Sequence, residues 1–142
     1  MIHYLTEGVD MPNLNQQRIM RWLTKVVAGY GFDLGDITYI FCSDERILAV
    51  NKQFLKHDYY TDVITFDYST RGKVSGDIYI SLDTVRSNAE EFGQDYEREL
   101  HRILVHGVLH LTGQGDKTPE SKLVMTMKEE QALAILITDN KS

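Results

Sequence analysis

The chain has 142 residues, of which 42% are hydrophobic and 25% are charged, a composition ordinary for a globular protein. We expect one domain over residues 1–142, since this length does not provide two independent cores. The net charge of −6 argues against broad electrostatic attraction to nucleic acid, whose binders usually present a basic face. No signal-peptide pattern or apolar run of about 18 residues occurs, so we expect a cytoplasmic protein that does not bind membranes. Cys42 is the only cysteine and is predicted to be a small core residue.

The first half of the chain reads as strand, helix, strand and helix. Weak alternation over residues 2–5 predicts a short strand. Asn13, followed three residues later by Gln16, predicts the N-cap of a helix. The β-branched and aromatic run over residues 36–42 predicts a buried strand, and Ser43 then predicts the N-cap of a second helix.

The second half predicts two strands and then three helices. Residues 61–68 and 76–81 are separated by a polar turn, which favours a β-hairpin. Ser81 predicts the cap of a third helix, a fourth apolar helix begins near residue 94, and Thr118 predicts the cap of the last. In the fourth helix we expect Tyr96, Leu100, Ile103 and Leu104 to be buried. The last helix carries the apolar residues Leu123, Met127, Leu133 and Leu136.

Residues 106–116, HGVLHLTGQGD, carry the most informative spacing in the chain. A helix places His106 and His110 on one face, one turn apart, where two neutral imidazoles can bind one transition-metal ion. Gly113 and Gly115 let the chain turn back, and Asp116 then offers a carboxylate as third ligand. A lone histidine on such a face is more often a core residue, but this combination predicts a metal site. Three protein ligands favour catalysis, because structural zinc normally takes four.

The assembled order, β-α-β-α-β-β-α-α-α, predicts an α+β fold. A small mixed β-sheet is covered by helices, and the metal-binding helix is central. The histidine spacing is also that of zinc proteases, in which a glutamate after the first histidine is the general base. Gly107 occupies that position, so peptide hydrolysis loses its base.

The motif resembles that of the YbeY family of bacterial rRNA-maturation endoribonucleases, which runs His-Gly-x-Leu-His-Leu-x-Gly and ends in a third histidine. Asp116 takes the place of that histidine, and a carboxylate is also a zinc ligand. Leu55 takes the place of an arginine that the family commonly carries, and Lys56 is the only adjacent cation. Further positions that match the family pattern are Asn51, Phe54, Asp58, Thr61, Asp62, Val63, Phe66, Gly76, Asp77 and Ile78.

The resemblance implies a single-strand-specific, zinc-dependent endoribonuclease acting in 16S rRNA processing and ribosome maturation. It implies one Zn²⁺ per chain on His106, His110 and Asp116, with pre-rRNA and small ribosomal subunit components as partners and no DNA. A zinc ion with three protein ligands keeps a position for water and lowers its pKa toward about 7. The sequence names no general base; the candidates for a catalytic role are Asp62, Asp77, Lys56 and Arg102.

Two alternatives stay open. The metal could stabilise a non-catalytic ribosome-assembly factor, an alternative supported by the acidic net charge and by the departures at Asp116 and Leu55. The site could also serve a metal-dependent hydrolase of another substrate. Two basic groups are possible contacts for RNA, although such groups are more often solvated helix faces: Arg18, Arg21 and Lys25, and then Lys52, Lys56 and His57.

Overall fold

The computed structural model of the protein describes residues 1–55 and 63–141. Its elements in chain order are β1 (Ile2–Thr6), α1 (Gln16–Ala28), β2 (Asp33–Cys42), α2 (Asp44–Val50), a π-helical turn (Asn51–Leu55), β3 (Val63–Asp67), β4 (Lys73–Ser81), α3 (Leu82–Glu91), α4 (Tyr96–Leu111) and α5 (Pro119–Lys141). The predicted order of strands and α-helices is confirmed. The predicted strand over residues 61–68 extends into residues 61 and 62, which lie outside the described part.

The strands form one mixed sheet in the order β1-β2-β4-β3. Strand β2 is parallel to both β1 and β4, whereas β3 and β4 are antiparallel and form the predicted hairpin. Side chains alternate between the two faces of a strand. Buried residues of β2 and β4, including Ile37, Tyr39 and Ile78, therefore point to one face, where they share a core with the helices. The α+β architecture is as predicted.

Helix α4 lies at the centre of this core, as the sequence predicts. Eleven of its sixteen residues are buried, which is typical of a helix enclosed on most sides. The Tyr39 hydroxyl of β2 donates a 2.7 Å hydrogen bond to the Leu104 carbonyl of α4. On α1, Trp22 Nε1 donates a 2.7 Å bond to the Ala132 carbonyl of α5. These buried polar contacts tie the sheet and the flanking helices together around α4.

Helix α4 packs on β4 at a glycine. A Cβ atom at Gly107 would lie 2.7 Å from Ile78 Cγ2 and 3.0 Å from Ile78 Cδ1. Ile78 is fully buried and β-branched, so its side chain has little freedom to move away. A glutamate at this position, as in the zinc proteases, would need the space that Ile78 fills. The structure thus gives a physical reason for the glycine in the motif.

Two sequence-based assignments at helix ends and faces were wrong. The N-cap of α1 is Asn15 rather than Asn13: Asn15 Oδ1 accepts a 3.1 Å hydrogen bond from the Arg18 backbone N–H. Asn13 and Asn15 are both suitable N-cap residues. The helix begins at Gln16, where Ile19 and Trp22 are buried in the core, so Asn15 is the cap. Tyr96, predicted to be buried, is 36% exposed at the first residue of α4.

The four apolar residues named in the sequence analysis of α5 do not all lie on its buried face. Leu123 and Met127 are 64% and 53% exposed. The residues of α5 that are buried are Met125, Glu129, Ala132, Leu133 and Leu136. Apolar residues occur on all sides of this helix, and a charged residue lies within its buried stripe. The positions of apolar residues alone therefore do not identify the buried face of this helix.

We predict that Gly107→Ala destabilises the fold. Overpacking a core typically costs about 1–3 kcal/mol, and the better helix propensity of alanine offsets about 1 kcal/mol of this. Because Ile78 cannot move away, urea unfolding with a chelator present should show a free energy of unfolding lower by about 1–2 kcal/mol, the upper part of the difference between these two effects. Gly115→Ala is the matched control, since a Cβ there meets no atom within 4 Å. A Gly107→Ala protein as stable as the wild type would contradict the close contact with Ile78.

Candidate metal centre

The end of α4 is a turn that brings Asp116 back to the two histidines. Gly113 has a φ of 102°, in the left-handed region that favours glycine. The Gly113 N–H donates to the His110 carbonyl at 3.0 Å, and the Gln114 N–H donates to the Leu109 carbonyl at 3.1 Å. This pair of hydrogen bonds is a Schellman motif, which reverses the chain direction at a helix end. The sequence prediction of a turn at Gly113 agrees with the structure.

Three ligand atoms converge at this turn. His106 Nε2 and His110 Nε2 are 3.0 Å apart. Asp116 Oδ2 lies 3.5 Å from His106 Nε2 and 3.3 Å from His110 Nε2. Ligands bound at about 2.0–2.1 Å in a tetrahedral arrangement are themselves roughly 3.3 Å apart. The cluster could therefore hold one metal ion.

The other ring nitrogen of each histidine already has a partner. His110 Nδ1 lies 2.9 Å from the Gln114 carbonyl oxygen, which can only accept, so Nδ1 carries the proton. His106 Nδ1 lies 2.5 Å from Glu129 Oε2. Neutral imidazoles with protonated Nδ1 atoms direct two Nε2 lone pairs at each other. A cation between these lone pairs satisfies both of them, so the donor set fits a metal.

The charges around the histidines also fit a divalent cation. With neutral imidazoles, the three carboxylates of Asp116, Glu129 and Glu99 outnumber the Arg102 guanidinium by two among the described residues of this network. Glu99 and Glu129 are 2% and 3% exposed, so water offsets little of their charge. A bound divalent cation balances the excess.

Arg102 lies near the histidines but contacts them only through Glu129. Its Nη1 donates to Glu129 Oε1 at 3.0 Å, and its Nε and Nη2 donate to the two oxygens of Glu99 at 2.8 and 2.6 Å. Burial lowers the pKa of Arg102, but the hydrogen bonds with Glu99 and the charges of both glutamates raise it overall. Arg102 is thus a charged member of a partly buried network of side chains.

Asp77 is not near the metal cluster. It follows Gly76 and precedes Ile78, both of which face α4, so alternation along β4 points Asp77 to the opposite face of the sheet. The other two candidates, Asp62 and Lys56, lie outside the described residues. Of the two predicted candidates that lie within the described residues, Arg102 is the one that the structure brings close to the histidines.

Solvent reaches the cluster from one side. The side chains of His106, His110 and Asp116 are 10%, 23% and 34% exposed, respectively. His106 thus lies at the base of the cluster and Asp116 at its rim. A substrate group can approach an ion here from the side of His110 and Asp116.

Sequence reasoning missed Glu129, the buried partner of His106. Its signal is visible in retrospect: a glutamate stands between Met125 and the pair Ala132 and Leu133, at the spacing of one helix face. Charged residues are almost never fully buried unless they are paired. A charged residue in an apolar stripe is therefore a reason to look for a partner.

No helix within the described residues is both long and apolar enough to cross a membrane.

Comparisons with known proteins agree with this geometry. Residues 4–137 match the family model described as Endoribonuclease YbeY. An Endoribonuclease YbeY from Phocaeicola vulgatus is 55% identical over 136 residues, which cover 96% of this chain and 99% of that protein. One from Bacteroides thetaiotaomicron is 54% identical over 134 residues, which cover 94% and 98%. The solution structure of a Thermotoga maritima protein matches with a TM-score of 0.66 and 28% identity over 99% of this chain and 92% of that one.

These matches confirm the resemblance drawn from the motif, and they extend it over nearly the whole chain. The relatives are named as endoribonucleases, which supports an enzyme over the alternative of a non-catalytic assembly factor. The chain therefore belongs to the YbeY family of endoribonucleases, hydrolases that act on RNA.

Proposed function

We propose that this protein is a zinc-dependent, single-strand-specific endoribonuclease of 16S rRNA processing and ribosome maturation, with His106, His110 and Asp116 as metal ligands. The observation that carries the proposal is the convergence of three donor atoms within 3.5 Å of one another. Both Nε2 lone pairs point into the space between these atoms. We further propose that residues 1–142 act as one hydrolase domain.

Zinc is a metal that suits this donor set. Two imidazoles and one carboxylate form a three-ligand set of the kind found in catalytic zinc sites. Soft sulfur ligands are absent from the cluster, so metals that need thiolates are disfavoured. Asp116 adds a negative charge that a third histidine would not have, and this charge adds to the attraction for a divalent cation.

A metal ion held here supplies Lewis acidity toward a phosphoryl oxygen and a lowered pKa for water. The chain's own residues perform the positioning. The Gln114 carbonyl and the Glu129 carboxylate fix the Nδ1 protons of His110 and His106, and this directs both Nε2 atoms to one point. The exposed rim at Asp116 leaves an approach for an RNA phosphate.

The proton acceptor does not come from the position that zinc proteases use. Gly107 has no side chain, and a Cβ at this position would lie against Ile78. The preference for a phosphodiester over a peptide substrate rests on the family relationship.

We propose pre-rRNA as the substrate, small ribosomal subunit components as partners and the cytoplasm as the location. The endoribonuclease relatives support RNA as the substrate class. A chain with a net charge of −6 repels phosphates at long range. Two factors would reduce this repulsion: a partner that presents the RNA, and a cation bound at the cluster.

His110→Ala should remove the metal and RNA cleavage together. We expect about one zinc per wild-type chain by elemental analysis, little zinc in the variant, and no cleavage of a labelled single-stranded RNA by the variant. His3→Ala is the matched control, because His3 is an exposed histidine on β1. A His110→Ala protein that keeps its zinc would rule out this ligand set.

Asp116 can be tested separately as the third ligand. Loss of an outer-shell partner typically lowers metal affinity by roughly 10–100-fold. Asp116→Ala removes a direct ligand, so it should lower zinc affinity by at least this factor. Asp116→His, which supplies an imidazole instead, should bind zinc more tightly than Asp116→Ala. Chelator competition measures both affinities. Asp67→Ala, at an exposed residue of β3, is the control. Unchanged affinity in Asp116→Ala would place the third ligand elsewhere.

A further inference from the structure

Glu129 is a buried carboxylate whose two oxygens have different partners. It is 3% exposed and lies on α5, two helical turns or more after the turn that carries Asp116. Oε1 accepts a 3.0 Å hydrogen bond from Arg102 Nη1, and Oε2 lies 2.5 Å from His106 Nδ1. Burial of a carboxylate costs free energy unless it is paired, and here each oxygen is paired. This arrangement places a full negative charge directly behind one proposed metal ligand.

Arg102 is itself held in one orientation. Its Nε and Nη2 bind the two oxygens of Glu99 at 2.8 and 2.6 Å, a bidentate geometry that fixes the plane of the guanidinium. Asn88 Nδ2 on α3 donates to Glu99 Oε2 at 3.4 Å. Side chains from α3, α4 and α5 thus form one connected series of hydrogen bonds that ends at His106.

The two histidines are held by partners of different charge. His110 Nδ1 donates to a neutral backbone carbonyl, that of Gln114. His106 Nδ1 donates to the carboxylate of Glu129. A carboxylate behind a histidine fixes the ring orientation and tautomer and makes the outer nitrogen a stronger ligand. The network therefore contacts a proposed metal ligand, His106, in addition to packing α5 against α4.

We infer that Glu129 is a positioning residue that orients His106 toward the metal, and that Arg102 and Glu99 hold Glu129 in place for this task. The inference rests on the proposed metal site. It also links the docking of α5 to metal binding, because Asp116 lies in the turn before α5 and Glu129 lies on the helix itself. Metal binding and the α4–α5 contact then stabilise each other.

Glu129→Gln tests this inference with little change in shape. The amide removes the negative charge behind His106 and leaves a side chain of nearly the same size. Glu130→Gln is the matched control, because Glu130 is the adjacent residue, is exposed, and pairs with Arg98 at the surface. Zinc dissociation constants are measured by competition with a chromophoric chelator. Melting temperatures are measured for zinc-loaded and metal-stripped protein of each variant.

We expect Glu129→Gln to weaken zinc binding by about 10–100-fold, with Glu130→Gln close to the wild type. The rise in Tm on zinc loading should be smaller in Glu129→Gln. A merely structural role would lower both melting temperatures equally and leave that rise unchanged. Wild-type zinc affinity in Glu129→Gln overturns the inference while leaving the metal site intact. No zinc binding by the wild-type protein overturns the proposed site itself, and the inference with it.

Arg102→Lys provides a second test if Glu129→Gln does not fold. Lysine keeps the positive charge but lacks the planar fork that binds Glu99 and Glu129 together. We expect Arg102→Lys to bind zinc more weakly than the wild type, although the hydrogen bonds of Arg102 are to Glu99 and Glu129 and not to a proposed ligand. Unchanged affinity and an unchanged zinc-dependent rise in Tm would overturn the role of the network.

Discussion

Helix α4 approaches strand β4 so closely that the side chain of Ile78 fills the space where residue 107 would carry a Cβ. This contact fixes the helix against the sheet and thereby fixes His106 and His110, which flank the glycine on the same helix. The Schellman turn at Gly113 then sets the position of Asp116 relative to them. A rigid helix with a defined end holds the ligand atoms within the narrow range of distances that a metal requires.

Charge balance connects the core to the site. Glu99 and Glu129 are buried carboxylates, and the single guanidinium of Arg102 joins them. Removing one partner of such a buried pair is strongly destabilising, whereas the intact pair contributes little net stability. A gain in folding free energy therefore does not explain the network well, and the contact of Glu129 with His106 is the better explanation. The network ends at His106, whose outer nitrogen lies 3.0 Å from His110 Nε2 in the proposed metal site.

Much of the fold and the central part of the site could be predicted from the sequence. The order of elements, the hairpin and the central helix follow from periodicity and turn residues, and the two histidines with Asp116 follow from spacing. The N-cap at Asn15 could not be predicted, because Asn13 and Asn15 are both suitable caps and tertiary packing decides between them. The exposure of Leu123 and Met127 could not be predicted either, because apolar residues occur on all sides of α5. Glu129 was missed because its partner lies 23 residues away in the sequence. The face of the sheet on which Asp77 lies could not be predicted from the sequence, because it depends on the register of the strand.

The most direct test of the metal-dependent mechanism is a titration of zinc into metal-stripped protein while cleavage of a labelled single-stranded RNA is followed. We predict no cleavage at the start, a rise in rate with each addition, and saturation at about one zinc per chain. Cleavage at full rate by the stripped protein would contradict a catalytic metal. Stoichiometric zinc binding without any cleavage would contradict the assignment of catalysis to this site.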